Sequence, residues 1–335
     1  MRRIAQVDVM KGIAALGVVF LHTVSRDTLI DTWSVIHLWQ SVPVFMVLMG
    51  LAACLSYQRG LGAAAPSARQ GVARRLGRLL GPFLVAWFAS LMLALQRHTE
   101  LQIGYQTFLS MLPGPGRGSY FVAIAIVYVL IAPALCRAML RWPLATVLSG
   151  VFLNVTFELI APHVSLLADQ WNYAVNPLRY LTLFVLGIWL ATQVKADGTG
   201  LSRSAWLAGV PYGLVGATYL IVWNLGLYDP GFLVSGWTIQ NPASFGWAFL
   251  LCVAGLSWLP ANPASVFLRS LAELGKASYH IFMTQMIVVV VAPSESWTRL
   301  AFNLIACSLI GYGWYLVEGR VRARVGRASL STGSR

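Results

Sequence analysis

Two ionisable residues of the first apolar segment, Lys11 and His22, have the spacing of side chains that share one face of a helix. They are eleven positions apart, and in an α-helix that spacing is close to three turns, or about 16 Å along the axis. This distance is roughly half of a bilayer core. An ionisable side chain is expensive to bury in a membrane and is a candidate for function, and an imidazole suits general acid–base chemistry near neutral pH. The structural alternative, with Lys11 as an anchor and His22 as an interfacial cap, stays open.

A second group of chemistry-bearing residues is the run Arg74-Arg75-Leu-Gly-Arg78, which precedes another apolar segment. The i,i+3 and i,i+4 spacings place two or three guanidinium groups on one helix face at the membrane surface. Arginine binds phosphate in a bidentate manner, so the pattern predicts a site for a phosphate-bearing cytosolic ligand. Anchoring to lipid headgroups is the structural alternative.

The remaining polar groups of the apolar segments are few. Glu158 and Arg179 are expected in the outer half of the membrane, where a structural ion pair between them is the simplest interpretation. Gln285 belongs to a polar stripe of a kind that usually serves helix packing. The chain has no GxSxG, HExxH or Walker sequence, and its four cysteines lack metal-ligand spacing. Any chemistry must therefore be carried out by His, Lys or Arg and at most one carboxylate, with no metal.

The composition is typical of a membrane protein. Hydrophobic residues make up 58% of the chain and charged residues 10%, whereas about a quarter of the residues in a soluble protein are charged. We therefore predict an all-α polytopic membrane protein with about ten transmembrane helices. The predicted spans are 10–25, 38–57, 76–96, 119–138, 143–162, 177–195, 205–225, 243–260, 277–293 and 298–317. Residues 1–320 would form the transmembrane domain, and 321–335 a basic cytoplasmic tail.

The basic residues indicate an orientation for these spans. If the N-terminus is inside, only five of the 24 Lys and Arg residues fall outside, namely Arg26, Arg97, Arg117, Arg179 and Arg299. Such an excess of inner charge is the positive-inside pattern, and it predicts that both termini are cytoplasmic in a multi-pass protein of the inner (plasma) membrane. The net charge of +13 then reflects topology, and we expect no nucleic-acid partner.

The chain contains, in order, the stretches Asp8-Val-Met-Lys11-Gly-Ile-Ala with His22, Ser41-Val-Pro43-Val-Phe45-Met-Val-Leu-Met-Gly50, Arg75-Leu-Gly-Arg78, Leu274-Gly-Lys-Ala-Ser278-Tyr279 and Val317-Glu318-Gly-Arg. In this order and spacing they are similar to stretches of the acyltransferase-3 family of integral-membrane acyltransferases. Two departures are Met49, where a serine often precedes the glycine of the second helix, and Gln285, where a histidine often ends the Ser-Tyr helix.

The resemblance implies transfer of an acyl group, usually acetyl, from cytosolic acyl-CoA to a hydroxyl of a glycan or another exported acceptor. Arg75 and Arg78, with Arg74 beside them, would bind the CoA phosphates. The pantetheine arm would extend between the helices, His22 would act as the general base, and Lys11 would support the donor side. The expected partners are acyl-CoA, the hydroxyl acceptor and the bilayer. The alternative is a glycan-lipid transporter or flippase without acyl-transfer activity.

Overall fold

The computed structural model describes residues 4–60, 68–96, 120–195, 200–231, 233–234, 237–291 and 296–332, and regular structure in these ranges is almost entirely helical. The one β-type pairing within them is an isolated bridge between Val194 and Leu201. Short 3-10 helices at Ala161–His163 and Pro177–Tyr180 precede α7 and α9. The α-helices are α1 Ala5–Thr23, α2 Arg26–Asp31, α3 Ser41–Gly60, α4 Ala68–Gln96, α5 Tyr120–Arg141, α6 Pro143–Ile160, α7 Ser165–Ala168, α8 Gln170–Val175, α9 Leu181–Gln193, α10 Arg203–Asn224, α11 Pro242–Trp258, α12 Val266–Lys276, α13 Ser278–Val291 and α14 Trp297–Thr332.

Each of the ten predicted spans overlaps one of these helices, namely α1, α3, α4, α5, α6, α9, α10, α11, α13 and α14. Six segments of the described chain are long and apolar enough to cross a membrane. They belong to α1, α3, α5, α6, α10 and α14, and the apolar α11 and α13 are shorter. The all-α membrane fold is thus confirmed, whereas ten crossings and two cytoplasmic termini stay predictions.

Helix α12 is not predicted from the sequence, because its mixed apolar and charged residues do not form a span. It packs closely against the first half of α1, and glycines permit the contact. A Cβ atom on Gly275 would lie 1.7 Å from the carbonyl oxygen of Asp8, and one on Gly12 would lie 2.1 Å from that of Leu271. Small residues allow such backbone approach between helices. Helix α12 therefore fixes the end of α1 that carries Lys11.

Helices α3 and α9 form the centre of the helical assembly. Their backbones approach at Gly50 and Gly187, where an added Cβ atom would lie 2.1 Å and 2.0 Å from a carbonyl oxygen of the other helix. At the periphery, α10 and α14 expose large apolar side chains such as Leu207 and Leu309. Exposed apolar surface of this extent suits contact with lipid. The central helices therefore position the site, and the outer helices face the bilayer.

Candidate functional site

A cavity of about 650 Å³ lies among α1, α3, α4, α5, α9 and α13. We call it the inner cavity, after the predicted cytoplasmic side. Its volume falls in the range of small-molecule sites. The cavity brings together three of the predicted site residues, Lys11, Arg75 and Arg78, from two helices that are far apart in the sequence.

The lining of the inner cavity changes from charged to apolar along its length. On α1 it changes from Asp8 and Lys11 to Val18, and on α3 from Val42 near the start of the helix to Arg59 near its end. The apolar part is lined by four phenylalanine side chains, namely Phe45, Phe121, Phe184 and Phe282. The inner cavity therefore has a basic end suited to an anion and an apolar end suited to an uncharged chain.

The basic end of the inner cavity concentrates guanidinium groups. Arg75 is half-buried, and the charges of Arg59 and Arg78 both act on it unfavourably. A bound anion would relieve this repulsion. Arg59 is missing from the predicted site because a single arginine at the end of a span is typical of an ordinary anchor. Arg74 is exposed and does not line the cavity.

The arginine-bearing turn of α4 is held by contacts from α13 and α14. The hydroxyl of Tyr279 donates a hydrogen bond to the carbonyl oxygen of Leu79 at 2.7 Å. The carboxylate of Glu318 contacts both Nε2 of His280 and the guanidinium of Arg322, and Arg322 also reaches a backbone carbonyl of α4. Three stretches that carry the family resemblance therefore meet in space, and together they orient α4.

His22 is half-buried and does not line the inner cavity. Val18, which does line it, precedes His22 by four residues, or about 6 Å along the helix axis. Leu21 and Val24 line a second cavity, of about 210 Å³. Val19, between these two sets, is completely buried. His22 therefore belongs to the stretch of α1 that lies between two separate cavities.

The second cavity, which we call the outer cavity, contains polar and aromatic groups from distant parts of the chain. Arg26, Trp39, Trp237 and Gln240 line it together with Leu21, Val24, Leu29 and Ile239. The amide of Gln240 donates to the carbonyl oxygen of Trp39 at 3.0 Å and accepts a hydrogen bond from Tyr180 at 2.5 Å. These bonds fix the wall of the outer cavity. The sequence gives no local signal for it, because its residues are not neighbours in the chain.

Arg179 lies behind the outer cavity and is completely buried. Its guanidinium carbon is 3.7 Å from the ring centroid of Trp237, and Nη2 is 3.4 Å from Oε1 of Gln240. Its Nε and Nη1 atoms have no hydrogen-bond partner among the described residues. Arg179 therefore brings a positive charge close to two residues that line the outer cavity.

The expected direct ion pair between Glu158 and Arg179 is wrong. Tyr173 lies between them, because its hydroxyl donates to Oε2 of Glu158 while the guanidinium carbon of Arg179 is 4.9 Å from the Tyr173 ring centroid. Burial raises the pKa of Tyr173, so the phenol keeps the proton that it donates. The other carboxylate oxygen of Glu158 has no hydrogen-bond partner in the described part of the chain. The two charges thus interact through an aromatic ring.

The four cysteines, Cys54, Cys136, Cys252 and Cys307, are free and buried, as expected for small core residues. The described residues contain no group of three or more His, Cys, Asp or Glu side chains that could hold a metal ion.

The fold defines a polytopic membrane protein with two cavities inside its helical bundle. The family model for the acyltransferase-3 domain, which is described as an acyltransferase domain, matches residues 4–316. The chain therefore belongs to the acyltransferase-3 family and is a membrane acyltransferase, as the resemblance implies. Neither the curated proteins nor the solved structures contain a significant match to it.

Proposed function

We propose that this protein transfers an acyl group, with acetyl as the first candidate, from cytosolic acyl-CoA to a hydroxyl of a glycan or another exported acceptor at the inner (plasma) membrane. The observation that carries the proposal is the inner cavity, which has arginines at one end and ends at Val18, one turn before His22. A glycan-lipid flippase would not need a polar-to-apolar cavity that ends one turn before a histidine, and the family assignment does not favour it.

The basic end of the inner cavity would bind the phosphates of the donor. Arg75 and Arg78 would form charge-assisted hydrogen bonds with them, and the charges of Lys11 and Arg59 would add to the attraction. The pantetheine arm would extend through the apolar part, which would place the thioester near Val18. This arrangement matches the lining of the cavity, because only one end of the donor is strongly charged.

The reaction requires two proton transfers at His22, one to the imidazole and one from it. The neutral imidazole would accept the proton of the acceptor hydroxyl as its oxygen attacks the thioester carbonyl carbon. A carbon–oxygen bond then forms and the carbon–sulfur bond breaks. The departing CoA thiolate takes the proton from the imidazolium, and His22 returns to its neutral form.

Donor binding can be tested without knowledge of the acceptor. We expect Arg75→Ala and Arg78→Ala to raise the Kd of a non-hydrolysable acetyl-CoA analogue, because each removes charge-assisted bonds of about 1.5–3 kcal/mol, or roughly tenfold or more. Lys11→Ala should weaken binding in the same direction, and Lys11→Arg should be tolerated. The measurement is calorimetric titration of the purified protein in nanodiscs.

Arg74→Ala is the matched control, because it removes the same charge from the same turn without removing a residue that lines the cavity. Arg74→Ala should bind the analogue as the unchanged protein does. If Lys11→Ala, Arg75→Ala and Arg78→Ala do so as well, these residues are lipid anchors and the proposed donor site is wrong. For the acceptor side, deletion of the gene should remove an acyl mass increment from a surface glycan.

A further inference from the structure

We propose that the outer cavity is the acceptor site and that it selects a sugar bearing an oxyanion, either a carboxylate or a phosphate group. The inference rests on the proposed acyl transfer at His22, and it adds the chemical class of the acceptor. Three features of the outer cavity support it, namely its position beside α1, the charges near it and its aromatic walls.

The position of the outer cavity suits an acceptor. Leu21, the neighbour of His22 in the chain, lines it, and so does Val24. His22 itself lines neither cavity, so a hydroxyl group bound here would reach the imidazole past Leu21, and the thioester would reach it past Val18. Arg26 is exposed, so the outer cavity has an edge in contact with the surroundings.

The charges around the outer cavity are positive. Arg26 is the one charged residue among those that line it. Arg179 adds a buried charge behind Trp237, and two of its nitrogen atoms have no hydrogen-bond partner among the described residues. The carboxylates of Asp27 and Asp31, in the same helix as Arg26, are exposed and do not line the cavity. Glu158 is engaged by the hydroxyl of Tyr173. Such an arrangement attracts an anion, and the attraction is greatest where water is excluded, as around Arg179.

The aromatic walls suit a sugar ring. Trp39 and Trp237 supply flat apolar surface beside the amide of Gln240, and ligand sites commonly combine aromatic surface with a few fixed polar groups. The guanidinium of Arg179 lies over the ring of Trp237, where a cation–π interaction occupies one face of the ring. An amino sugar with a positive charge would therefore be disfavoured, and a sugar with a negative charge would be favoured.

The experiment compares three matched ligands by saturation-transfer NMR titration of the protein in phosphatidylcholine nanodiscs. Methyl β-glucuronide carries a carboxylate, glucose 1-phosphate carries a phosphate, and methyl β-glucoside is neutral. We expect at least one anionic ligand to bind about tenfold more tightly than the neutral one, as one charge-assisted contact allows. Arg26→Gln should remove this preference, and Trp39→Ala should weaken all binding.

Arg299→Gln is the control, because it removes another arginine of the predicted outer side that does not line the outer cavity. The acceptor proposal is overturned if the three ligands bind equally or not at all, or if Arg26→Gln leaves the preference unchanged. It is also overturned if phosphatidylglycerol nanodiscs displace the anionic sugars, because the site would then belong to a lipid headgroup.

Binding of the acetyl-CoA analogue is measured on the same discs. Loss of sugar selectivity with donor binding intact refutes the acceptor class alone, whereas absence of donor binding refutes the proposed function as well.

Discussion

His22 is the residue on which the proposed chemistry depends, and its environment follows from the geometry of α1. Lys11 and Val18 line the inner cavity, whereas Ala15 and Val19 are buried in a cluster with residues of α13 and α14. One face of α1 thus lines the inner cavity, and the neighbouring face packs against α13 and α14. His22 extends the cavity-lining face by one further turn.

We expect His22→Ala to abolish acyl transfer while binding of the donor analogue and the level of protein in the membrane persist. Loss of a general base lowers the rate by about 10²–10⁴-fold. The measurement is the initial rate of acceptor-dependent thioester consumption. His37→Ala, which changes an exposed histidine in the segment between α2 and α3, should leave the rate unchanged. A His22→Ala enzyme with a near-normal kcat would remove the catalyst from the proposal.

At the scale of residues, the sequence predicts those parts of the site that have a local pattern. Lys11, Arg75 and Arg78 are predicted because their spacings place charge on helix faces, and the structure brings them into one cavity. The outer cavity could not be predicted, since Trp39 and Gln240 are separated by some 200 positions. Tyr173 could not be predicted either, because no spacing in the sequence shows that its ring lies between Glu158 and Arg179.

Among the elements, α12 acts on the inner cavity through α1, against which it packs. Its contact with α1 depends on Gly12 and Gly275, because a Cβ atom at either position would collide with the backbone of the other helix. Residues 266–276 lack an apolar run of membrane-spanning length, so the sequence predicts no helix there. A short amphipathic helix beside a bundle gives no such signal, although its two faces differ strongly in polarity.

We expect Gly275→Ala to destabilise the protein, because the added methyl group would lie 1.7 Å from the carbonyl oxygen of Asp8. Overpacking of this kind typically costs about 1–3 kcal/mol. The midpoint of thermal unfolding in detergent should fall, and donor binding should weaken as the end of α1 shifts. Gly313→Ala is the control, since nothing lies within 4 Å of a Cβ atom added there. Equal midpoints for the two variants would contradict the close contact between α1 and α12.

For the whole molecule, the positive-inside pattern agrees with the inner cavity, where Lys11, Arg59, Arg75 and Arg78 come together. All four belong to the predicted cytoplasmic set. The fold class follows from the sequence, because apolar segments of this length are typical of membrane-spanning helices. The number of crossings does not follow, since helices as short as α9, with 13 residues, need their neighbours to define their depth.

We expect reporter fusions after Arg59, Lys195 and Arg324 to be cytoplasmic and a fusion after Gly116 to be external, because basic loops remain inside. Gly116 lies outside the described residues, so this arm depends on the sequence alone. The measurement is the activity of paired phosphatase and fluorescent reporters, with expression of each fusion as the control. An external reporter after Lys195 would make the predicted count of ten spans wrong.

The separation of the two cavities on α1 has an electrical consequence. Val18 faces one cavity, Leu21 faces the other, and the completely buried Val19 lies between them. The apolar side chains between the two cavities oppose the passage of ions along α1. An acyl group could then move from one compartment to the other by bond exchange, while the voltage across the membrane is retained.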